Sequence, residues 1–178
     1  MIAEIDTKTV EISGNALSAY ITGFPDYLSD IAETILQNNN LQHPEQGKWY
    51  NFHDYLAALD DIGKKFGSSS LYEIGKQAVN SSIIPEGVVT FVDAINNLQK
   101  AFEINHRNGQ ICEIKILKMK VSKGKVILEI INPYPFEVNR GILTGLSRNY
   151  TPNESVMPDV EIDENKSNFP VGIYTITW

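Results

Sequence analysis

The stretch NPYPFEVNRGILTGL, residues 132–146, marks the point at which the sequence pattern changes from strand to helix. Its two prolines end the strand before it, because proline cannot donate a hydrogen bond to a strand ladder. Beyond the prolines, apolar side chains recur at four-residue steps, which predicts a helix. The residues that mark this helix are Val138, Ile142, Leu146 and Tyr150.

Strand patterns flank this stretch on both sides. Residues 111–121 and 126–131 alternate and are rich in β-branched side chains, with a hairpin loop at Ser122–Lys125 between them. Towards the C-terminus, residues 156–162 and 171–178 predict two closing strands. The sequence therefore predicts an antiparallel sheet of about four strands, with one helix inserted between two hairpins.

The first hundred residues show the helical period instead. The strongest apolar stripe runs through residues 86–105, and weaker stripes predict helices over 26–37 and 52–66. Helices followed by an antiparallel sheet indicate the α+β class. We expect a single domain over residues 1–178, in which 1–48 supply an N-terminal strand and helices.

Charge and composition exclude several functions. The 178 residues include 15 Lys and Arg against 22 Asp and Glu, a net charge of −7, which argues against binding to nucleic acid or to an anionic membrane. No apolar run approaches the roughly 18 residues of a membrane span. The single cysteine, Cys112, cannot form an intramolecular disulfide. A cytoplasmic protein is therefore expected.

The sequence contains no motif of a known catalytic or metal site. It has no phosphate-binding glycine loop, no nucleophile elbow and no pair of histidines at helical spacing. His106 and Arg107 follow the long helix, where its dipole favours cations. Catalysis by this pair is the weakest of the functional hypotheses, and we expect neither catalytic nor metal-binding residues.

The order of long helix, His106-Arg107, hairpin and residues 132–146 resembles three groups of proteins that share one α+β fold. These are the heme-NO/oxygen-binding (H-NOX) sensor domains, the vinyl-reductase-type small-molecule-binding domains and the TRAPP transport subunits. The chain is most similar to a myxobacterial-type family of stand-alone proteins of unknown function. Its matching positions are Trp49, Ile74-Gly75, His106-Arg107 and Asn132–Pro135. The resemblance covers about residues 49–178 and implies a bacterial protein with a role in signalling.

The resemblance implies the fold without the heme. H-NOX domains carry the iron-ligating histidine at the end of a motif that matches residues 91–99, where this chain has Gln99, a poor iron ligand. The Tyr-x-Ser-x-Arg triplet that clamps the heme propionates matches Ile130, Asn132 and Tyr134. The C-terminal strands also lack the cysteines that are usual in vinyl-reductase-type domains. No cofactor is therefore expected.

Two functional hypotheses follow. The first is a non-enzymatic binding module that holds a small, largely apolar ligand between the 86–105 helix and the sheet. Its expected lining residues are Trp49, Tyr50, Phe91, Ile95, Asn132 and Tyr134. The alternative for Phe91 and Ile95 is that they fill a close-packed core.

The second hypothesis is a protein-interaction scaffold that forms a TRAPP-like homodimer. It rests on the aromatic residues of the helices predicted over 26–37 and 52–66, which would form an interface if a single core cannot bury them all. These residues are Tyr27, Phe52, Tyr55 and Phe66.

Overall fold

A computed structural model describes residues 5–24, 26–151 and 158–178 of the chain. The helices in these ranges are α1 (Gly14–Leu17), α2 (Ala19–Thr22), α3 (Ser29–Asn38), α4 (Phe52–Phe66), α5 (Ser68–Ser81), α6 (Phe91–Asn96), α7 (Leu98–Asn105) and α8 (Phe136–Tyr150). The strands are β1 (Glu11–Ser13), β2 (Trp49–Asn51), β3 (His106–Arg107), β4 (Glu113–Lys120), β5 (Lys125–Ile131), β6 (Asp159–Ile162) and β7 (Val171–Thr177). None of the helices described is long and apolar enough to cross a membrane.

The larger sheet confirms the predicted α+β class. Its four strands are antiparallel in the order β4-β5-β7-β6, and α8 is inserted between β5 and β6. One face of the sheet packs into the hydrophobic core through alternate residues, because successive side chains of a strand point to opposite faces. These core residues are Val126, Leu128, Ile130, Val160, Tyr174 and Ile176.

The helix predicted over residues 86–105 is two helices, so this prediction was wrong in its detail. Helix α6 begins after Thr90, whose hydroxyl accepts a hydrogen bond from Asp93 N (3.2 Å) while the Asp93 carboxylate accepts one from Thr90 N (2.9 Å). At Asn97 the helix breaks, and the Asn97 amide donates to the carbonyl of Asp93. Residues 86–90 form no helix.

The boundaries of other predicted elements also shift. The predicted helix over 26–37 starts with a 3-10 turn at Asp26–Leu28 before α3. Strand β4 begins at Glu113, so Cys112, which was expected within the strand, precedes it. Strand β6 begins at Asp159, and residues 156–157 of the predicted strand lie outside the described residues.

A second, three-stranded sheet was not predicted. It has the order β2-β1-β3, and Ile12 of β1 pairs with Tyr50 on one side and with His106 on the other. Strand β1 corresponds to the N-terminal strand that the sequence predicts, whereas β2 and β3, of three and two residues, are too short to be recognised. This small sheet brings the start of α4 beside the end of α7, although about fifty residues separate them in sequence.

Helices α5 and α8 approach each other at two glycines. A Cβ atom added at Gly75 would overlap the carbonyl oxygen of Val138, and one added at Gly141 would overlap that of Tyr72. Only glycine allows backbones to come this close. The chain segment between β5 and β6 is thereby held against the N-terminal helices.

We expect Gly141→Ala to lower the free energy of unfolding by roughly 1–3 kcal/mol, because the added methyl group must force two helix backbones apart. Urea denaturation monitored by circular dichroism measures this change.

Gly63→Ala is the matched control, since Gly63 also lies within a helix. A Cβ atom there would meet only the end of the flexible Leu71 side chain, at 3.0 Å, and alanine favours helix formation. We expect no loss of stability from Gly63→Ala. Equal losses in both variants would contradict the close-approach explanation.

Candidate ligand-binding cavity

An apolar cavity of about 70 Å³ lies between helices α5, α7 and α8. Most of its wall is aliphatic or aromatic, and its lining includes Ile74, Val79, Leu98, Phe102, Val138 and Ile142. Apolar cavities of roughly 150 Å³ in proteins bind benzene or xenon. The space here suits a molecule of a few heavy atoms, or a somewhat larger one if the wall adjusts. The cavity lies among the helices, whereas we expected a site between the 86–105 segment and the sheet.

The segment that follows α5 closes one side of the cavity. Ser82 and Ile84 line it, and Asn105 at the end of α7 fixes the backbone of Ile83 between them. The Asn105 amide oxygen accepts from Ile83 N (3.0 Å), and the amide nitrogen donates to Ile83 O (2.8 Å). The Asn105 amide oxygen also accepts from the Ser13 hydroxyl, and its nitrogen also donates to Ala101 O. The Asn105 side chain therefore holds this part of the cavity wall in place.

His106 and Tyr134 form the polar end of the cavity. His106 Nδ1 lies 2.8 Å from the carbonyl oxygen of Phe102, and Nε2 lies 2.9 Å from Tyr134 Oη. A carbonyl oxygen can only accept a hydrogen bond, so Nδ1 carries the proton. In a neutral ring Nε2 is then bare, and the Tyr134 hydroxyl donates to it.

Burial keeps the His106 ring neutral. The ring lies among Phe52, Phe102 and Tyr134, with the Phe52 centroid 4.9 Å away. Desolvation lowers the His106 pKa to about 4, against a smaller opposing effect of the Phe102 carbonyl. We had placed His106 at the helix end as a cation favoured by the helix dipole. The position is confirmed, but that reason is wrong because the ring is uncharged near neutral pH.

Asn132 positions Tyr134. Its side-chain amide exchanges two hydrogen bonds with Asn139 of α8, at 3.0 and 2.9 Å, and its oxygen also accepts from Tyr134 N. All three residues are buried. The Asn-Pro-Tyr-Pro sequence is therefore a turn that leaves the sheet, is anchored to α8 and places Tyr134 against His106.

Trp49 and Tyr50, which we predicted to line a ligand site, lie away from the cavity. The Arg107 guanidinium stacks over the Trp49 ring at 4.5 Å, and its Nε donates to Glu11. The Tyr50 hydroxyl donates to His43 O and accepts from Glu45 N, which holds the loop before β2. Hydrogen bonding to Arg107 lowers the pKa of Glu11.

Phe91 and Ile95 are buried in the core and do not line the cavity. The Phe91 ring packs edge-on against Trp178 with 4.7 Å between centroids. Of the six residues predicted for the site, Tyr134 alone lines the cavity, and Asn132 contacts it through Tyr134. The sequence pattern gives no sign that α5, α7 and α8 converge, although the apolar stripes of α7 and α8 are visible in it.

The aromatic residues proposed for a homodimer interface are mostly internal. Phe52 and Tyr55 are buried, and Phe66 packs against Phe24 with 5.7 Å between centroids. Tyr27 is 81% exposed and is the one surplus aromatic of this set. The helical interface stays a prediction that rests on this residue.

Gln99, at the position that matches the H-NOX histidine, does not reach the cavity. Its amide oxygen accepts from Ile114 N (3.0 Å), and its amide nitrogen donates to Cys112 O (2.9 Å) and to Glu103. The side chain thus ties α7 to the start of β4. The described ranges contain no cluster of three or more His, Cys, Asp or Glu side chains that could bind a metal ion.

Comparison with solved structures identifies the fold. An oxygen-binding H-NOX domain related to soluble guanylate cyclases superposes with a TM-score of 0.62, covering 93% of this chain and 94% of that one at 12% identity. An H-NOX protein from S. oneidensis gives a TM-score of 0.63 over 93% and 95% of the two chains at 10% identity. The chain has the H-NOX fold. Neither protein-family models nor curated proteins match it.

The superpositions cover 93% of the chain, which is more than residues 49–178 alone would supply. The boundary near residue 49 stays a prediction.

The buried neutral state of His106 predicts a pH dependence of stability. Its pKa is about 4 in the folded chain and 6.5 when unfolded, so the unfolded chain binds the extra proton between these values. The contribution of the neutral His106 ring to the free energy of unfolding is complete above pH 6.5 and is lost as the pH falls towards 4. Between pH 7 and 4 we expect the free energy of unfolding to fall by about 3 kcal/mol more in the wild type than in His106→Gln.

Urea denaturation across this pH range measures the difference. The exposed ring of His53 offers a control, and His53→Gln should keep the wild-type slope. Parallel slopes for wild type and His106→Gln would show that the ring gains its proton as easily in the folded chain as in the unfolded one.

Proposed function

We propose that this protein is a non-enzymatic binding module that holds a small, largely apolar ligand, without heme, in the cavity between α5, α7 and α8. The observation that carries the proposal is the cavity itself, with apolar walls and a few polar groups at one end. This composition is that of small-molecule sites in general. The hydrogen bonds of Asn105 keep the wall segment in place around it.

The donor set around the cavity does not fit heme. The matching position of the iron ligand is Gln99, whose amide is bonded to the backbone of Ile114 in β4 and of Cys112 just before it. The one histidine in the lining is His106, and both of its nitrogens are already hydrogen-bonded. The lining also contains neither Arg nor Lys to pair with propionates. The cavity volume of about 70 Å³ is far below the roughly 300–1,000 Å³ of pockets that hold larger ligands.

Ala101 of α7 lines the cavity, so Ala101→Phe should fill it. We expect xenon and toluene to shift the NMR signals of the Leu98 and Ile142 methyl groups in the wild type and to leave them unshifted in Ala101→Phe. Methyl-selective spectra recorded during titration measure this effect.

Ala57→Phe on the exposed face of α4 is the matched control and should respond as the wild type does. Native mass spectrometry and an absorption spectrum of the same sample test for a retained ligand and for heme. Identical shifts in Ala101→Phe, or no shift in any protein, would contradict binding in this cavity. A Soret band would contradict the heme-free part of the proposal.

As a second candidate function, we propose a homodimer through the outer face of the larger sheet. The register forms rows across this face, and one row runs Lys118–Ile127–Thr175–Glu161 from β4 to β6. The next row runs Lys120–Lys125–Thr177–Asp159. One edge of the face is therefore basic and the other acidic. Ile127, which is partly exposed, lies between the edges and outside the main core cluster.

This pattern is complementary to a second copy of itself. A two-fold axis parallel to the strands, between two facing sheets, places β4 of one copy opposite β6 of the other. Lys118 then faces Glu161 of the second copy, and the reverse contact is equivalent. An axis between the two sheets that crosses the strands at right angles would instead place β4 opposite β4, with lysine facing lysine. Charge therefore favours the first arrangement.

Lys118→Glu and Glu161→Lys should each weaken dimerisation at least tenfold in analytical ultracentrifugation, and combining them should restore it. Lys100→Glu on α7 changes the net charge equally, away from this face, and should leave the dimer intact. A monomeric wild type, or a double variant no better than the single ones, would refute the sheet interface.

A further inference from the structure

The hydroxyl group of Tyr55 is a buried polar group that the protein itself does not use. Tyr55 is 3% exposed, lines the cavity and packs edge-on against Tyr134 with 6.3 Å between ring centroids. Within the described part of the chain its hydroxyl makes no hydrogen bond. A buried hydroxyl without a partner is costly, so such a group calls for an explanation.

The Tyr55 hydroxyl must adjoin open space. Among the described residues, every fully enclosed side-chain nitrogen and oxygen has a hydrogen-bond partner. The Tyr55 oxygen lacks one, so it is not fully enclosed, although the residue as a whole is buried. Tyr55 lines the cavity, which is the open space that we assign to its hydroxyl. Placed there, the O–H group would donate to a molecule held in the cavity.

The Tyr134 hydroxyl can accept a hydrogen bond, whereas that of Tyr55 can donate one. Its proton is committed to His106 Nε2, because the Phe102 carbonyl fixes the proton of the ring on Nδ1. A hydroxyl oxygen retains acceptor capacity while it donates. Tyr134 also lines the cavity, so it would present an acceptor there, and its ring packs edge-on against that of Tyr55.

We propose that the ligand is a small apolar molecule with one hydroxyl group, such as an alcohol or a phenol. Its oxygen accepts from Tyr55, and its own proton is donated to Tyr134. This inference rests on the proposed function, because it names the ligand class of the same cavity. The side chains of Asn105 and His106 do not compete for hydrogen bonds to the ligand, because their polar atoms already have partners within the protein.

Phenol and toluene, which differ by a hydroxyl in place of a methyl group, test this proposal. We expect Tyr55→Phe and Tyr134→Phe each to weaken phenol binding about fivefold, the effect of losing one neutral hydrogen bond. Toluene affinity should not fall in either variant. NMR titration provides the dissociation constants.

Tyr55→Phe removes no hydrogen bond to any residue that the structure describes, so it should fold as the wild type does. The test can then rest on Tyr55→Phe if Tyr134→Phe is unstable. Tyr20→Phe is the control, because Tyr20 is buried but does not line the cavity. Unchanged phenol affinity in Tyr55→Phe, with toluene still bound, overturns the hydroxyl inference and leaves the binding function standing. Failure of both probes to bind the wild type overturns both.

Discussion

The close approach of α5 and α8 is the constraint on which the rest of the structure depends. Because Gly75 and Gly141 bring the two backbones into contact, α8 packs against α5 as well as against β6 and β7 of the sheet. The residues next to these glycines, Ile74 and Ile142, line the cavity between the two helices and α7. Tight packing at the glycines and open space beside them are two results of the same geometry.

A chain of polar contacts fixes the other end of this space. Asn139 on α8 holds Asn132, Asn132 holds the backbone of Tyr134, and Tyr134 donates to His106 at the end of α7. Every link is buried, where a hydrogen bond is strong and a missing partner is costly. The orientation of each group follows from its neighbour, beginning at the Phe102 carbonyl. The acceptor that Tyr134 presents is therefore a consequence of backbone structure in α7.

The sequence was sufficient for the class, for the hairpins on either side of α8 and for the H-NOX likeness, because these rest on periodicity and on the Asn132–Pro135 turn. It could not place the cavity. Phe91 and Ile95 carry the same helical stripe as Leu98 and Phe102, but the helix breaks at Asn97 between the two pairs. Phe91 packs against Trp178, whereas Leu98 and Phe102 line the cavity. Tyr55 was read as a surplus interface aromatic, since no local pattern distinguishes an unpaired buried hydroxyl.

Gln99 shows how one side chain can join a helix to a strand. Its amide oxygen accepts a hydrogen bond from Ile114 N in β4, and its amide nitrogen donates to the carbonyl of Cys112 just before the strand. Because both ends of the amide are bonded to backbone groups, the side chain fixes where β4 begins relative to α7. The same helix contributes Leu98 and Phe102 to the cavity. The junction at Gln99 therefore also helps to set the position of the cavity wall.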